Sequence, residues 1–277
     1  MADDQLIAGM LDGLALRSAS FIVTVYGDVV VPRGGVLWTG TLIEICKRVG
    51  ISESLVRTAV SRLVAARRLS GVRAGRRSYY RLDASAQKEF DQAAALLYAP
   101  DIPPRGWQIL HAPDLAEDEA RHLRMGRMGG QVFIRPDRGQ PAPSGAVLFH
   151  AADPGDPSSL ASYWDLSALQ AGYRNMLARF EPLDRLADRG ALSDAAALAA
   201  RLLLVHDYRN VLLRDPRLPV EVLPADWQGH VARDLFRTLY TRLTPGAERH
   251  IAARFEGIDG ALPASTPLSA ARLSSLN

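Results

Sequence analysis

The chain has 277 residues, of which 48% are hydrophobic and 23% are charged, and its formal net charge at pH 7 is +3. These values are typical of a soluble globular protein with two or three domains, and they exclude an intrinsically disordered chain. The single cysteine, Cys46, excludes an intrachain disulfide framework and a thiolate-rich zinc site, and its apolar neighbours favour a place in the core.

The N-terminal segment predicts neither a secretory signal nor a membrane anchor. Asp3 and Asp4 stand where a secretory signal would carry basic residues. The longest apolar run, residues 21–31, contains Asp28 and is too short to span a bilayer. We therefore expect a cytoplasmic protein with no membrane partner. The same run is rich in β-branched residues, so its propensity alone predicts a strand.

Positive charge is concentrated in the N-terminal third of the chain. Residues 1–90 hold 13 basic and 8 acidic side chains, a net charge of +5, whereas residues 91–277 hold 20 and 22, a net charge of −2. Within that third, residues 48–82 carry nine arginines and one acid, Glu53. A patch of one sign indicates a nucleic-acid-binding module. A solvated basic hairpin without a partner is the alternative, although solvated faces usually mix both signs.

Two helices are predicted inside this basic segment. Helical spacing of apolar residues predicts the first from Leu37 to Val49, with Gly50 as its stop. Ser52 is a good N-cap for a second helix that runs to Ala66. Its buried stripe is expected to contain Leu55, Val56, Ala59, Val60, Leu63 and Val64. Its opposite face offers side chains that match base edges and phosphates, namely Ser54, Arg57, Thr58, Ser61 and Arg62.

A basic β-hairpin is predicted next. Residues 71–73 and 77–82 read as strands around a turn at 74–76. Arg73, Arg76 and Arg77 would lie along a DNA backbone or in a minor groove. The two helices and the hairpin together predict a winged helix-turn-helix domain over residues 1–90 that binds double-stranded DNA.

The middle of the chain predicts a small α+β domain. A helix over 85–99 leads into a Pro/Gly-rich boundary, and we assign residues 91–104 to a linker. A strand at 107–111, a helix at 115–127 and strands at 131–135 and 145–151 make a βαββ pattern, with an uncertain register at the glycines of 125–130. This pattern is typical of half a ferredoxin-like fold, which we assign to residues 105–172. Its open sheet edge makes it the expected dimer surface.

The remaining chain is predicted to be helical, so that the whole is an α+β protein. We expect a helical C-terminal domain over residues 173–277, and apolar periodicity from residue 166 onward predicts helices at 166–180, 194–213, 227–243 and 247–255. The tail from Ala261 is rich in Ser, Ala, Pro and Leu, and it is expected to be poorly ordered.

Sequence motifs of common enzymes are missing. The chain has no Gly-x-Ser-x-Gly, Gly-x-x-x-x-Gly-Lys or His-Glu-x-x-His motif, and we expect no catalytic residue, cofactor or metal. The best polar cluster consists of His206, Asp207, Arg209, Arg214 and Asp215, with His230 further along. A ligand site and a structural ion-pair network that joins the two arginines to the acids both stay open for this cluster. Metal binding is less favoured, because no further ligands are suitably spaced.

Six segments carry a resemblance that covers nearly the whole chain in the same order. The first three are residues 20–28 (SFIVTVYGD), 32–35 (PRGG, followed by Trp38) and 56–63 (VRTAVSRL). The other three are residues 201–209 (RLLLVHDYR), 212–219 (LLRDPRLP) and 223–227 (LPADW), of which the last two are the more specific. On these segments the chain resembles the PaaX family of bacterial phenylacetic acid catabolon repressors.

The resemblance implies a dimeric repressor with winged-helix, ferredoxin-like and helical domains, released from its operator by an aryl-CoA thioester such as phenylacetyl-CoA. It also makes most of residues 21–31 a helix, against their strand propensity. Because one recognition helix reads few base pairs, we expect a homodimer on an inverted repeat. A DNA-binding regulator with a protein-interaction body and no small-molecule effector is the alternative.

An effector site is expected in the C-terminal half of the chain. Arg209 and Arg214 would hold the phosphates of a CoA thioester, and Tyr208 and Trp227 would wall its aryl group. Core packing alone would also explain both aromatic residues. The arginines would then pair with the neighbouring acids instead.

Overall fold

The computed structural model describes residues 2–152, 155–187 and 192–276, and it has an α+β fold. Its α-helices are α1 Ala2–Leu11, α2 Ser18–Val25, α3 Thr39–Arg48, α4 Glu53–Ala65, α5 Gln87–Tyr98, α6 Glu117–His122, α7 Leu166–Ala187, α8 Asp194–Leu212, α9 Gly229–Arg254 and α10 Pro267–Leu276. Its strands are β1 Val36–Trp38, β2 Leu69–Ala74, β3 Arg77–Leu82, β4 Trp107–His111, β5 Gly126–Gly129, β6 Val132–Pro136, β7 Val147–Ala151, β8 Glu256–Gly257 and β9 Gly260–Ala261. Within the described ranges, no helix has the length and apolarity needed to cross a bilayer.

The chain divides into two compact units. The first consists of Met1–Ala99, Met176–Arg209 and Val231–Asn277, and the second of Pro100–Asn175 and Asn210–His230. The basic N-terminal segment therefore shares a unit with much of the helical C-terminal half.

The apolar run at residues 21–31 is helical in the first unit, as the family resemblance implies. Helix α2 continues into a π-helical turn, Tyr26–Val30. Phe21, Ile22, Val25 and Tyr26 are fully buried, and α2 packs against α4. Burial on several sides explains why tertiary packing overrides the strand propensity of the β-branched residues.

Helices α3 and α4 lie close to their predicted positions, with two corrections. The first predicted helix begins too early, because Val36–Trp38 is a strand whose Trp38 pairs with Tyr79 of β3. The N-cap at Ser52 is confirmed, since its hydroxyl accepts a hydrogen bond from the backbone N–H of Leu55 (3.4 Å). The predicted stripe was too wide, because Leu55 and Val64 are 53% and 38% exposed. The buried positions are Val56, Ala59, Val60 and Leu63, which lie on one helical face.

The predicted β-hairpin is confirmed and belongs to a three-stranded antiparallel sheet of order β1-β3-β2. Ala74 pairs with Arg77, so the turn consists of Gly75 and Arg76. Gly75 has a φ of 61°, a left-handed conformation that glycine adopts without steric cost.

Helix α9 replaces the two predicted helices at 227–243 and 247–255. Pro245 lies inside it, although a proline interrupts helical hydrogen bonding at a cost of about 3 kcal/mol. Leu243 and Ala247, on either side of this proline, are both buried, as are Leu239 and Ile251 further along the same helix. Burial on both sides of the proline explains why the helix continues.

The C-terminal tail is ordered, which corrects the expectation of a poorly ordered segment from Ala261. Leu276 at the end of α10 is 3% exposed, and Leu262 is also buried. Arg272 donates a hydrogen bond to the carbonyl of Gly27 (2.7 Å). The buried guanidinium of Arg33 donates to the carbonyl of Ala264 (2.6 Å). These contacts, which composition alone does not reveal, attach the tail to the N-terminal segment of the same unit.

The second unit contains a four-stranded antiparallel sheet of order β5-β6-β4-β7. Its core is formed by Leu110, Ala112, Ala120, Met125 and Phe133. The helix predicted over 115–127 is shorter, and residues 126–129 form β5 with an irregular register. A Cβ on Gly126 would lie 2.8 Å from Trp164, so this close approach requires glycine. The chain passes from β6 to β7 through a loop, without the second helix of a ferredoxin-like fold.

Candidate nucleic-acid interface

The polar face of α4 is exposed as a continuous surface. Ser54, Arg57, Thr58, Ser61 and Arg62 are all exposed. They lie opposite the buried stripe that holds the helix on its unit. The structure therefore brings together the five α4 residues that the sequence predicts to contact DNA, and it presents them to solvent.

Arg57 already has an acidic partner on its own helix. Its Nη2 and Nε donate to Oε1 of Glu53 at 2.6 and 2.8 Å, one helical turn away, and both side chains are more than half exposed. An exposed pair of this kind contributes at most about 1 kcal/mol. Arg57 can therefore exchange Glu53 for a phosphate or a base at small cost.

Leu55 is a further exposed residue of α4 that the sequence analysis missed. Its side chain is 53% exposed, and it lies in the first turn between the polar residues of the predicted reading face. An apolar side chain at this place suits the methyl group of thymine in a major groove. Helical spacing could have indicated this exposure, because the stripe formed by the buried positions 56, 59, 60 and 63 does not include residue 55.

The hairpin presents its three predicted arginines in two different ways. Arg73 and Arg76 are exposed. Arg77 forms an ion pair with Glu256, and its guanidinium lies 4.6 Å from the ring centre of Trp38. Arg77 is also exposed, with 50% of its side chain accessible, but it contacts β1 and β8 through these two partners.

Two of the four predicted effector residues, Tyr208 and Arg209, belong to the first unit. Tyr208 is 1% exposed and stacks on Phe236 with the ring centres 4.5 Å apart. Arg209 donates to the carbonyl and hydroxyl of Ser20 at 3.2 and 3.1 Å. Burial lowers the pKa of Arg209 from its ordinary value.

The other two, Arg214 and Trp227, belong to the second unit. Arg214 is exposed and donates from Nε to the carbonyl of Asn210 (2.9 Å). Trp227 is 8% exposed and packs edge-on against Tyr173 with ring centres 5.6 Å apart. The two aromatic residues predicted to wall a ligand therefore pack in the interiors of different units.

The two acids of this region pair with other residues than the ion-pair hypothesis supposed. Asp207 pairs with Arg179. Asp215 accepts from the hydroxyl of Tyr173 (2.5 Å) and from the backbone N–H of Arg217 (2.6 Å). Burial raises the pKa of both carboxyl groups, and these partners offset part of that rise. The hypothesis failed because Asp207 and Arg209 on α8 have different partners, Arg179 and Ser20, and because Arg214 and Asp215 lie beyond the end of α8.

His206 is a core residue of the first unit. It is fully buried, and its Nδ1 lies 3.1 Å from the hydroxyl of Thr24, with the ring edge of Phe21 against it. Burial, with a smaller contribution from the charge of Arg209, lowers the pKa of His206 to about 4. Its imidazole is therefore neutral at pH 7. Across the described ranges, no group of three or more His, Cys, Asp or Glu side chains is placed to hold a metal ion.

The first unit also contains a buried polar cluster around Asp28. Its Oδ1 accepts from the hydroxyls of Tyr98 (3.0 Å) and Tyr240 (2.8 Å), and its Oδ2 lies 2.9 Å from Nη2 of Arg201. Burial raises the pKa of Asp28, but Arg201, the tyrosine hydroxyls and Arg272 outweigh it, so that the net pKa is below the ordinary value. This cluster connects the end of α2 to α5, α8 and α9.

Comparison with known proteins matches both halves of the chain. A family model described as PaaX-like protein matches residues 17–86, and one described as PaaX-like protein C-terminal domain matches residues 164–253. The transcriptional repressor PaaX of Escherichia coli (strain K12) is 30% identical over 303 aligned residues, which cover 99% of this chain and 95% of that protein. A solved structure of an uncharacterized protein from Mycobacterium tuberculosis is 23% identical, with a TM-score of 0.47, over 75% of this chain and 88% of its own.

Proposed function

Because this chain belongs to the PaaX family, we propose that it is a cytoplasmic, DNA-binding transcriptional repressor of an aromatic-acid catabolic operon. The observation that carries the proposal is the exposed face of α4, where Arg57 and Arg62 lie beside serine and threonine hydroxyls. These side chains provide the donors that base edges and phosphates accept from. The name of the Escherichia coli relative, a transcriptional repressor, supports the same function.

We assign the N-terminal part of the chain to a winged helix-turn-helix domain. Helix α3, the short turn at residues 49–52, helix α4 and the hairpin β2–β3 follow one another in the order of that motif. In this assignment α4 enters the major groove of double-stranded DNA. Arg73 and Arg76 of the hairpin then contact phosphates or the minor groove, and Arg77 holds the hairpin in place.

We propose that the repressor acts as a homodimer on an inverted repeat. Strand β7 forms one edge of the four-stranded sheet, and its Val147 and Phe149 are 53% and 57% exposed on the same face. An exposed apolar edge strand is stabilised when another chain covers it. A two-fold dimer built here would place two α4 helices on half-sites separated by about one helical turn or a multiple of it.

The proposed effector is an aryl-CoA thioester such as phenylacetyl-CoA. Its binding must favour a conformation with low DNA affinity, and a tenfold loss of DNA affinity requires a coupling of about 1.4 kcal/mol. The sequence-based assignment of this site to Tyr208, Arg209, Arg214 and Trp227 stays a prediction. Because both aromatic residues are buried, a cavity elsewhere is a better candidate for the effector site.

The function is tested with DNA that the protein selects for itself. Duplexes enriched from a random pool by the full chain are used in gel shifts with and without phenylacetyl-CoA. We expect sequence-specific binding that the thioester reverses, and no reversal by free CoA. Specific binding without any effect of aryl-CoA thioesters would favour a DNA-binding regulator without a small-molecule effector. Failure to enrich any sequence would contradict the repressor function.

A further inference from the structure

A groove lies entirely within the first unit, on the side of α5 and α10. Its volume is about 720 Å³. Its walls come from α5, from α10, from the segment around residues 31–35 and from the end of β3. This volume falls within the range of about 300–1,000 Å³ that is common for small-molecule sites. The groove contains none of the four effector residues predicted from sequence.

The floor of the groove is made of small and aliphatic side chains. Ala94 and Ala95 of α5 and Leu268 and Ala271 of α10 belong to its lining. Leu268 is 49% exposed although it is apolar. Short side chains on both helices leave room for a flat apolar group, which would cover Leu268 and remove apolar surface from water.

The polar part of the lining favours an anion. Arg81 and Arg272 both line the groove, against one acidic residue, Asp91. Asp91 accepts a hydrogen bond from the side-chain amide of Gln87 (2.8 Å). Arg272 also lies over the ring of Tyr98, with its guanidinium carbon 4.8 Å from the ring centre. Two cations beside an apolar floor complement a ligand that carries both phosphate and a hydrophobic group.

The same wall residues continue into the DNA-binding part of the unit. The hydroxyl of Tyr98 donates to Asp28, and Arg272 donates to the carbonyl of Gly27, so both contact the chain just after α2. Helix α2 packs against α4. Arg81 itself lies on β3 of the hairpin. A ligand that moved these side chains would therefore act on the elements that carry the proposed DNA contacts.

We propose that this groove is the effector site, and that it binds the aryl-CoA thioester with its acyl group on the alanine floor and its phosphates near Arg81 and Arg272. The assignment rests on the proposed function, since it places the effector of that function. It also explains how binding in one part of the unit reaches the proposed DNA contacts, because the hairpin borders the groove and α4 packs against α2, next to the segment that the groove walls contact.

The test fills the groove without touching the charged residues. Ala271→Trp adds an indole from α10, and Ala95→Trp adds one from α5. Ala270→Trp is the matched control, because Ala270 is exposed on the same helix but does not line the groove. Binding of phenylacetyl-CoA, of CoA and of phenylacetate to each full-length variant is measured by calorimetry, together with the melting temperature and the affinity for the selected DNA.

We expect Ala270→Trp to bind phenylacetyl-CoA as the wild type does, and at least one of the two groove variants to bind at least tenfold more weakly. A weakened variant should keep its melting temperature and its DNA affinity, and its DNA complex should resist phenylacetyl-CoA. Unchanged ligand affinity in both groove variants would overturn the groove assignment while the repressor function stands. Loss of DNA affinity in a groove variant that binds phenylacetyl-CoA as the wild type does would overturn it in favour of a DNA contact. A wild type that binds no aryl-CoA thioester would remove the proposed effector and the groove assignment together.

Discussion

Arg201 and Asp28 form an ion pair, with Nη2 and Oδ2 2.9 Å apart and side chains that are 2% and 0% exposed. Asp28 belongs to the turn that follows α2, and Arg201 belongs to α8. The pair thus joins the segment that supports the proposed DNA-binding helix to the C-terminal half of the same unit. A buried charge that keeps its partner is tolerated, whereas the loss of one partner leaves the other charge uncompensated.

Replacing Asp28 by Asn should destabilise the protein strongly. The variant keeps the shape of the side chain but leaves the Arg201 guanidinium buried without a counter-charge, so we expect a loss of about 3–5 kcal/mol in the free energy of unfolding. Urea unfolding followed by circular dichroism measures this. Arg254→Ala is the control, since Arg254 and its partner Glu44 are 58% and 48% exposed, and it should cost at most about 1 kcal/mol. Equal losses in the two variants would show that the buried pair has no special role.

His206 should make the protein less stable in mild acid. Its pKa is about 4 in the folded chain and about 6.5 when unfolded, so the unfolded chain binds a proton first as the pH falls. The contribution of neutral His206 to the free energy of unfolding is therefore complete above pH 6.5, and it is lost progressively as the pH falls from 6.5 to 4. Between pH 8 and pH 5 the loss should reach about 2 kcal/mol. His206→Asn should abolish this component in urea titrations at the two pH values, and the exposed His230→Asn should retain it. A wild-type slope in His206→Asn would contradict the assignment.

The exposed residues of β7 should control the oligomeric state. Phe149→Asp places a carboxylate in the proposed dimer surface, and we expect light scattering at micromolar concentration to show a monomer. Val220→Asp is the control, because Val220 is 66% exposed and does not belong to the sheet. It should leave the dimer mass unchanged. A wild-type chain that is itself monomeric, or a dimeric Phe149→Asp variant, would refute this interface.

The hairpin should contribute affinity without sequence preference. Arg76 is exposed at the turn, so Arg76→Ala should weaken binding to all duplexes and reduce the slope of log K against log salt by about 0.9 if one phosphate contact is lost. Arg77→Ala should in addition lower the melting temperature, since Arg77 holds Glu256 and Trp38. Fluorescence anisotropy at several salt concentrations measures the slope. An unchanged slope for Arg76→Ala would exclude a phosphate contact there.

Local patterns predicted the elements whose signals lie within a few residues. The strand at Trp107–His111 is found at its predicted bounds, and the N-cap at Ser52 and the turn at Gly75 follow from the preferences of serine and glycine. The exposed α4 face also followed from helical periodicity. These features are determined by residues that are close in sequence, so local sequence patterns are sufficient to predict them.

Features that depend on distant partners could not be predicted in this way. Strand β1 has three residues and exists because β3 pairs with it, and the continuation of α9 through Pro245 depends on burial along the whole helix. Asp28 stood out in an apolar run, but nothing local indicated Arg201 as its partner. The groove between α5 and α10 was missed for the same reason, since the tail that forms one wall has a composition typical of disorder.

The affinity of Arg62→Ala and Arg57→Ala for the selected duplex tests the central claim, that the exposed face of α4 reads DNA. Arg121→Ala is the matched control for Arg57, because Arg121 also pairs with a glutamate one turn earlier, Glu117, with 66% of its side chain exposed. By fluorescence anisotropy we predict a loss of about 1–3 kcal/mol for at least one α4 variant, with relaxed preference at one base pair, and no loss for Arg121→Ala. Wild-type affinity and specificity in both α4 variants would contradict the account.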